Sequence, residues 1–148
     1  MDKIDIQILK ALNNNSRISG AEIARKVHLS VPAVTERLRK LNKSGVIERY
    51  TVRFNRSMLD QNLMAYIHLW LDHIQATEIK NYVVGLPEVL ECHHVAGDFD
   101  LLLKVIVKDT SDLERFLVKK IKSNKAVIRS STTIIMNTYK EELNVRIE

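Results

Sequence analysis

Hydrophobic positions along this chain follow two rhythms. Over the first part they recur at helical spacing. Ile4, Ile8, Leu9 and Leu12 form one apolar stripe. Asn13-Asn14-Asn15 ends it, because asparagine side chains compete with helical backbone bonding. Ser19 and Glu22 then match a capping box, and Ile18 with Ile23 matches the hydrophobic staple around it. A second helix is therefore predicted from near Gly20, with Ile23, Ala24 and Val27 turned inward. His28-Leu29-Ser30 interrupts the pattern. Ser30 is a good N-cap, and Pro32 falls in a first helical turn, where its missing N–H does no harm. A third helix is predicted from about Val31 to Ser44, with Val34, Leu38 and Leu41 inward and Gly45 as its stop. Two helices joined by a short turn, the second richly basic, make a helix-turn-helix over residues 20–39.

Beyond Gly45 the rhythm shortens. Val46 to Asn55 reads as a strand, with Tyr50, Val52 and Phe54 on one side and Arg49, Thr51 and Arg53 on the other. A strand after a helix-turn-helix suggests a winged helix. Residues 55–62 read as a linker. Met64 to Leu71 reads as a strand, Ala76 to Leu86 as a helix, and Val89 to Val95 as a strand. Gly97-Asp98 suits a tight type II′ hairpin into a strand from Phe99 to Val107. Ser111 to Ile121 reads as a helix with Ser111 and Glu114 as a capping box, and Val127 to Tyr139 as a closing strand. The order βαββαβ is a ferredoxin-like layout, so the fold class is α+β. The expected domains are a winged helix-turn-helix at 1–54 and a ferredoxin-like domain at 63–148. Two helices cover one face of such a sheet. The other face calls for a partner, most simply a second copy stacked face to face.

Charge changes the picture by being uneven. The net is +5, but residues 1–56 hold 12 Lys/Arg against 5 Asp/Glu, whereas residues 57–148 hold 11 against 13. A basic half beside a near-neutral half suggests a polyanion-binding module on a body with another task. The basic face of the third helix carries the candidates. Its N-terminal part would meet base edges in the major groove, which singles out Ser30, Val31, Ala33, Thr35, Glu36 and Arg37. An arginine can bind guanine bidentately, while Ala33 and the Thr35 methyl suit thymine methyls. Arg37 has an alternative, pairing with neighbours of Glu36 or with the preceding helix. Arg39, Lys40 and Lys43 lie further along and suit phosphates. Cys92 is the one cysteine, so neither an internal disulfide nor a cysteine metal cluster is available. No apolar run reaches the roughly 18–20 residues that span a bilayer, and the first residues, Met1 to Asp5, lack a signal-like apolar stretch. A cytoplasmic protein without membrane contact is expected.

The sequence resembles the Lrp/AsnC family of feast/famine regulators along almost its whole length. The resemblance is carried by residues 4–9 (Ile-Asp-Ile-Gln-Ile-Leu), Arg17-Ile18-Ser19, Leu29-Ser30, Arg37-Leu38, Leu41 and Ser44-Gly45-Val46-Ile47. In the second half, residues 91–105 resemble the family's Gly-x-aromatic-Asp region at Gly97-Asp98-Phe99-Asp100. The resemblance implies a DNA-binding regulator with an effector domain for an amino acid such as leucine, assembling as dimers and then larger rings, commonly octamers. Ligands in the family lie near the loops of that domain, so Gly97, Asp98 and Asp100 become candidates, with Thr132 and Thr133 behind them. A carboxylate would hold an ammonium and turn amides a carboxylate; equally, Asp100 could lock the turn itself. One departure from the family is His28, where glycine is common and positive φ is expected.

Two other classes compete with this reading. Proteins of this layout that act on tetrapyrroles would draw attention to His93 and His94, but adjacent strand residues point to opposite faces and do not readily share a metal. No Ser/His/Asp arrangement, phosphate loop or metal-spaced carboxylate set is present, so no catalytic or metal residue and no cofactor is expected. An architectural protein would bind DNA through backbone contacts with little sequence preference. The expectation is a regulator binding pseudo-palindromic double-stranded DNA as a homodimer or larger assembly.

Overall fold

The structure, a computed structural model, describes residues 1–147 apart from 73 and 75. Three positions of the domain expected at 63–148 thus lie outside the described residues. The chain forms two compact units, residues 1–53 with 140–148, and residues 54–139. Residues 140–147 therefore group with the helical unit, whereas the sequence reading places them in the domain at 63–148. Arg53 holds them, donating to the Glu141 carbonyl at 2.9 Å and to its carboxylate at 2.8 Å. Asn144 also donates to Asn13 at 2.7 Å.

In the helical unit α1 spans Lys3–Asn14, α2 Gly20–Val27 and α3 Val31–Lys43. Each starts on a side-chain cap. Asp2 accepts from the Asp5 N–H, Ser19 from Glu22 and Ser30 from Ala33. Ser19 and Glu22 form the full reciprocal box read from the sequence. His28 takes the left-handed conformation, φ 54°, at the end of α2, and its N–H reaches Ala24. Ile8, Ile23, Ala24, Val27, Val34 and Leu41 form the core where the three helices meet, with Leu38 packed against it.

The strand expected at Val46–Asn55 is not formed. Residues 49–55 make no ladder, and Tyr50, Val52 and Phe54 stay exposed. A strand needs a neighbour to take its N–H and C=O groups, and none lies alongside among the described residues. The linker contains a short 3₁₀ turn, Arg56–Leu59, capped by Asn55.

The second unit is the expected βαββαβ sheet. β1 spans Leu63–Leu71, α4 Ala76–Val84, β2 Val89–His94, β3 Leu101–Val107, α5 Thr110–Phe116 and β4 Val127–Ile135. Strand order is β2-β3-β1-β4, antiparallel throughout. Ala65, Ile67, Leu69 and Leu71 of β1 and Leu101, Leu103, Val105 and Val107 of β3 face Ile79, Val83, Leu113 and Phe116 of the helices. The alternating residues Met64, Tyr66, His68 and Trp70, with Leu102, Lys104 and Ile106, form the opposite face.

Three local expectations are corrected. The connection from β2 to β3 is the six-residue loop Val95–Asp100, closed by Val95 N–H to the Asp100 carbonyl at 3.0 Å. Gly97 has no positive φ there, so the type II′ turn is absent and β3 begins at Leu101. α5 starts one residue earlier than expected, on Asp109 rather than Ser111, because Asp109 accepts the Asp112 N–H at 2.9 Å. A π turn, Leu117–Ile121, continues it. β4 stops at Ile135, where its pairing with Met64 and the start of β1 runs out.

Candidate nucleic-acid interface and effector domain

Packing of Val34 and Leu41 into the helical core turns the rest of α3 outward. Ser30, Val31, Thr35, Glu36, Arg39, Lys40 and Lys43 are exposed, and Ala33 is half-buried. Val31 is an exposed apolar side chain on the first turn. The Thr35 hydroxyl donates back to the Val31 carbonyl at 3.0 Å. Glu36 takes both Nε and Nη2 of Arg39, at 2.8 and 2.7 Å, and lies 3.8 Å from Lys40. That bidentate bond holds the Glu36 carboxyl below its ordinary range and lifts Arg39. One carboxylate thus sits among the exposed cations and steers the Arg39 fork along the helix.

Arg37 stands apart. Its side chain is 29% exposed, against 59% for Arg39 and 70% for Lys40. Its Nη1 donates to Asp2 Oδ2 at 2.8 Å and to Asp5 Oδ1 at 2.7 Å. Those carboxylates raise the guanidinium pKa further. The Asp5 N–H and then Arg37 hold the Asp2 carboxyl below its usual value. Its partners lie on the first turn of α1, which is neither a neighbour of Glu36 nor the helix that directly precedes α3, and they engage the same nitrogen that would otherwise be free to reach a base. Asp2 and Asp5 are not among the residues singled out from the sequence; the signal available there was an Asp-x-x-Asp pair at a helix start.

In the second unit Asp100, at the end of the 95–100 loop, is bonded to the sheet. Its N–H donates to the Leu69 carbonyl at 2.9 Å, and its Oδ2 accepts the Leu71 N–H at 2.7 Å. Asp100 therefore locks the end of β1 to the 95–100 loop. Gly97 and Asp98 lie exposed on that loop, and a side chain at Gly97 would meet nothing. Thr132 and Thr133 do not converge. Thr132 pairs with Ile67, whose side chain enters the core, and Thr133 with Tyr66 on the other face. His93 and His94 are likewise split, paired with Leu102 and Leu101, and His93 lies 3.3 Å from Glu91. Beside the loop an aromatic group gathers. Phe99 packs edge-on against His68 and Trp70, and the Arg129 guanidinium lies 4.4 Å from the Trp70 ring centroid.

Comparison with known proteins agrees with both halves. A family model for a winged helix-turn-helix DNA-binding domain matches residues 1–48, and one for the Lrp/AsnC ligand binding domain matches residues 64–145. The leucine-responsive regulatory proteins of Salmonella typhimurium and Escherichia coli K12 are each 33% identical over 144 residues, covering 95% of this chain and 88% of theirs. The leucine response regulatory protein of Mycobacterium tuberculosis superposes with a TM-score of 0.84 at 30% identity, covering all of both chains. A transcriptional regulator from Neisseria meningitidis, solved in complex with L-Met, gives a TM-score of 0.95 at 24% identity over 99% of this chain and 96% of that one, a likeness of fold. A DNA-binding unit and a ligand-binding unit of matching type, in order along one chain, leave one conclusion: the protein belongs to the Lrp/AsnC family of transcriptional regulators.

Proposed function

We propose that this regulator binds pseudo-palindromic DNA as a homodimer or larger assembly, up to an octamer, and that an amino acid adjusts that binding. The observation that carries the reading is the union of an outward-facing basic α3 with a domain of the family's ligand-binding type. In this reading Ser30, Val31, Ala33, Thr35 and Glu36 meet base edges, while Arg39, Lys40 and Lys43 meet phosphates. The sheet face bearing Tyr66, His68 and Trp70 stacks on a second copy, so that one assembly carries two α3 helices for two half-sites. An amino-acid effector docks at the exposed part of the loop, through Gly97 and Asp98, with Asp100 shaping the loop rather than holding the ligand. Thr133 is on the dimer face and Thr132 on the helix face, so neither is a primary contact. The protein works as a regulator without chemistry of its own, in the cytoplasm, where its DNA is; among the described residues no helix is long and apolar enough to cross a membrane.

Selection of bound sites from a random duplex library tests the DNA half. A symmetric enriched sequence is expected; enrichment of no sequence would instead support packaging of DNA without preference. Thermal shifts against the twenty amino acids test the other half. A rise with one or a few is expected, abolished in Asp98→Ala. Flat curves with all twenty would remove the amino-acid effector.

A further inference from the structure

The carboxylates at the start of α1 each serve twice. Asp2 Oδ1 accepts the Asp5 N–H at 2.8 Å, and Asp5 Oδ2 accepts the Asp2 N–H at 2.9 Å, closing a capping box. The two remaining oxygens both take Arg37 Nη1. All four carboxylate oxygens are therefore occupied, and one guanidinium from the middle of α3 is bonded to two acceptors on the first turn of α1. Asp5 is partly covered, with its side chain 15% exposed. Drawing Arg37 away to a base would strand two carboxylates without their shared cation, on a unit that must approach phosphates.

We infer that Arg37 is a positioning residue for DNA recognition, acting through Asp2 and Asp5 to fix α3 against α1. The helical core alone specifies this contact loosely. Val34 and Leu41 are its buried residues on α3, and an apolar contact tolerates small slides. A slide of one residue along a helix is about 1.5 Å, enough to take a side chain out of hydrogen-bond reach of a base edge. The two charge-assisted bonds from Nη1 oppose it, because they are short and directional. The clamp lies just past the first turns of α3, so it sets the depth and register at which Ser30, Val31, Ala33, Thr35 and Glu36 are presented together. It also places one cation directly on the two carboxylates of the α1 start.

This inference rests on the DNA reading above, and a double-mutant cycle separates the two. The site enriched by the wild-type chain is the probe, with a scrambled duplex as the non-specific control. A wild-type protein that enriches no site overturns the DNA reading and the clamp with it. Otherwise, Arg37→Ala and Asp5→Asn are each expected to weaken specific binding about tenfold, and the double variant no further, as for residues acting as one unit. The preference should soften across the whole site, with non-specific affinity unchanged within about twofold. Multiplying losses in the double variant, unchanged specific affinity in either single variant, or a loss of preference confined to one base pair with Arg37→Ala would overturn it. All binding is read well below each variant's melting temperature. Arg37→Lys covers the case in which the alanine variant does not fold. A lysine ammonium can still donate to both carboxylates, so most of the specific affinity and preference is expected to return, and a loss of preference at one base pair would overturn the inference, because it would mark a guanidinium that reads a base.

Discussion

Among the described residues, fourteen buried ones share one cluster in the sheet unit, whereas six do so in the helical unit. The difference teaches how each unit is made definite. The sheet is held by area: two helices lie on one face of four paired strands, and side chains such as Ile67, Leu103 and Ile121 are wholly enclosed. The helical unit has too little interior for that. It adds direction instead, with a side-chain cap at the start of every helix and an arginine tying α3 to the first turn of α1.

Substitutions can sharpen that contrast or break it. The largest effect is expected from Leu103→Ala, which opens a cavity in the sheet core and should cost about 3–4 kcal/mol. Trp70 is the one tryptophan and lies on β1, so its fluorescence during urea unfolding reports on the sheet unit. A loss under about 1 kcal/mol would mean that burial is not what holds this unit.

Asp100→Ala comes next, at about 1–3 kcal/mol, because it strands the N–H of the buried Leu71. If Asp100 mainly bound an effector, the variant would melt like the wild type and lose only its ligand response. Ser19→Ala should cost about 1 kcal/mol by opening the α2 capping box, and helical circular dichroism on heating would register it. A cost near zero would show that the helical unit does not depend on its caps.

The smallest effect concerns acid. Burial by itself pushes the Glu91 carboxyl up, but the Lys104 ammonium at 3.0 Å and His93 outweigh it, and the net shift is downward. A carboxyl depressed in the folded state contributes stability that is present above its unfolded pKa and lost as pH falls through its folded value. Unfolding midpoints should therefore decline on the acid side of the ordinary carboxylate range. In Lys104→Met the Glu91 titration, followed by carboxyl NMR, should move upward; an unmoved titration would remove Lys104 as the cause.

Much of this was legible along the chain because its causes are local. Ser19 and Glu22 are three residues apart, and their box formed as read. His28 carries the positive φ expected at its position. The β-strands of the second unit announced themselves by composition, and the pairing of β2 with β3 follows from the short loop between them, whereas β1 reaches its place between β3 and β4 through the helical crossovers. The failures share a different trait. Val46–Asn55 has strand alternation, yet alternation supplies no partner for its backbone groups. Gly97 looked like a hairpin residue, but the Asp100 side chain and the longer loop settle how β2 returns. Ser111 fits a cap, yet Asp109 two residues earlier competes for the same helix end and wins.

The candidate site divides the same way. That α3 is basic, amphipathic and preceded by a capped helix was fixed by residues within a few positions of one another, and those alone determined a DNA-binding module. Which basic residue faces outward was not. Arg37, Arg39 and Lys40 are near neighbours in sequence and equivalent in charge, and only the tertiary structure set Arg37 apart, by bringing Asp2 and Asp5 to it across more than thirty residues. Side-chain type and spacing determine what a segment can do; which of its groups are already engaged depends on contacts that no local pattern records.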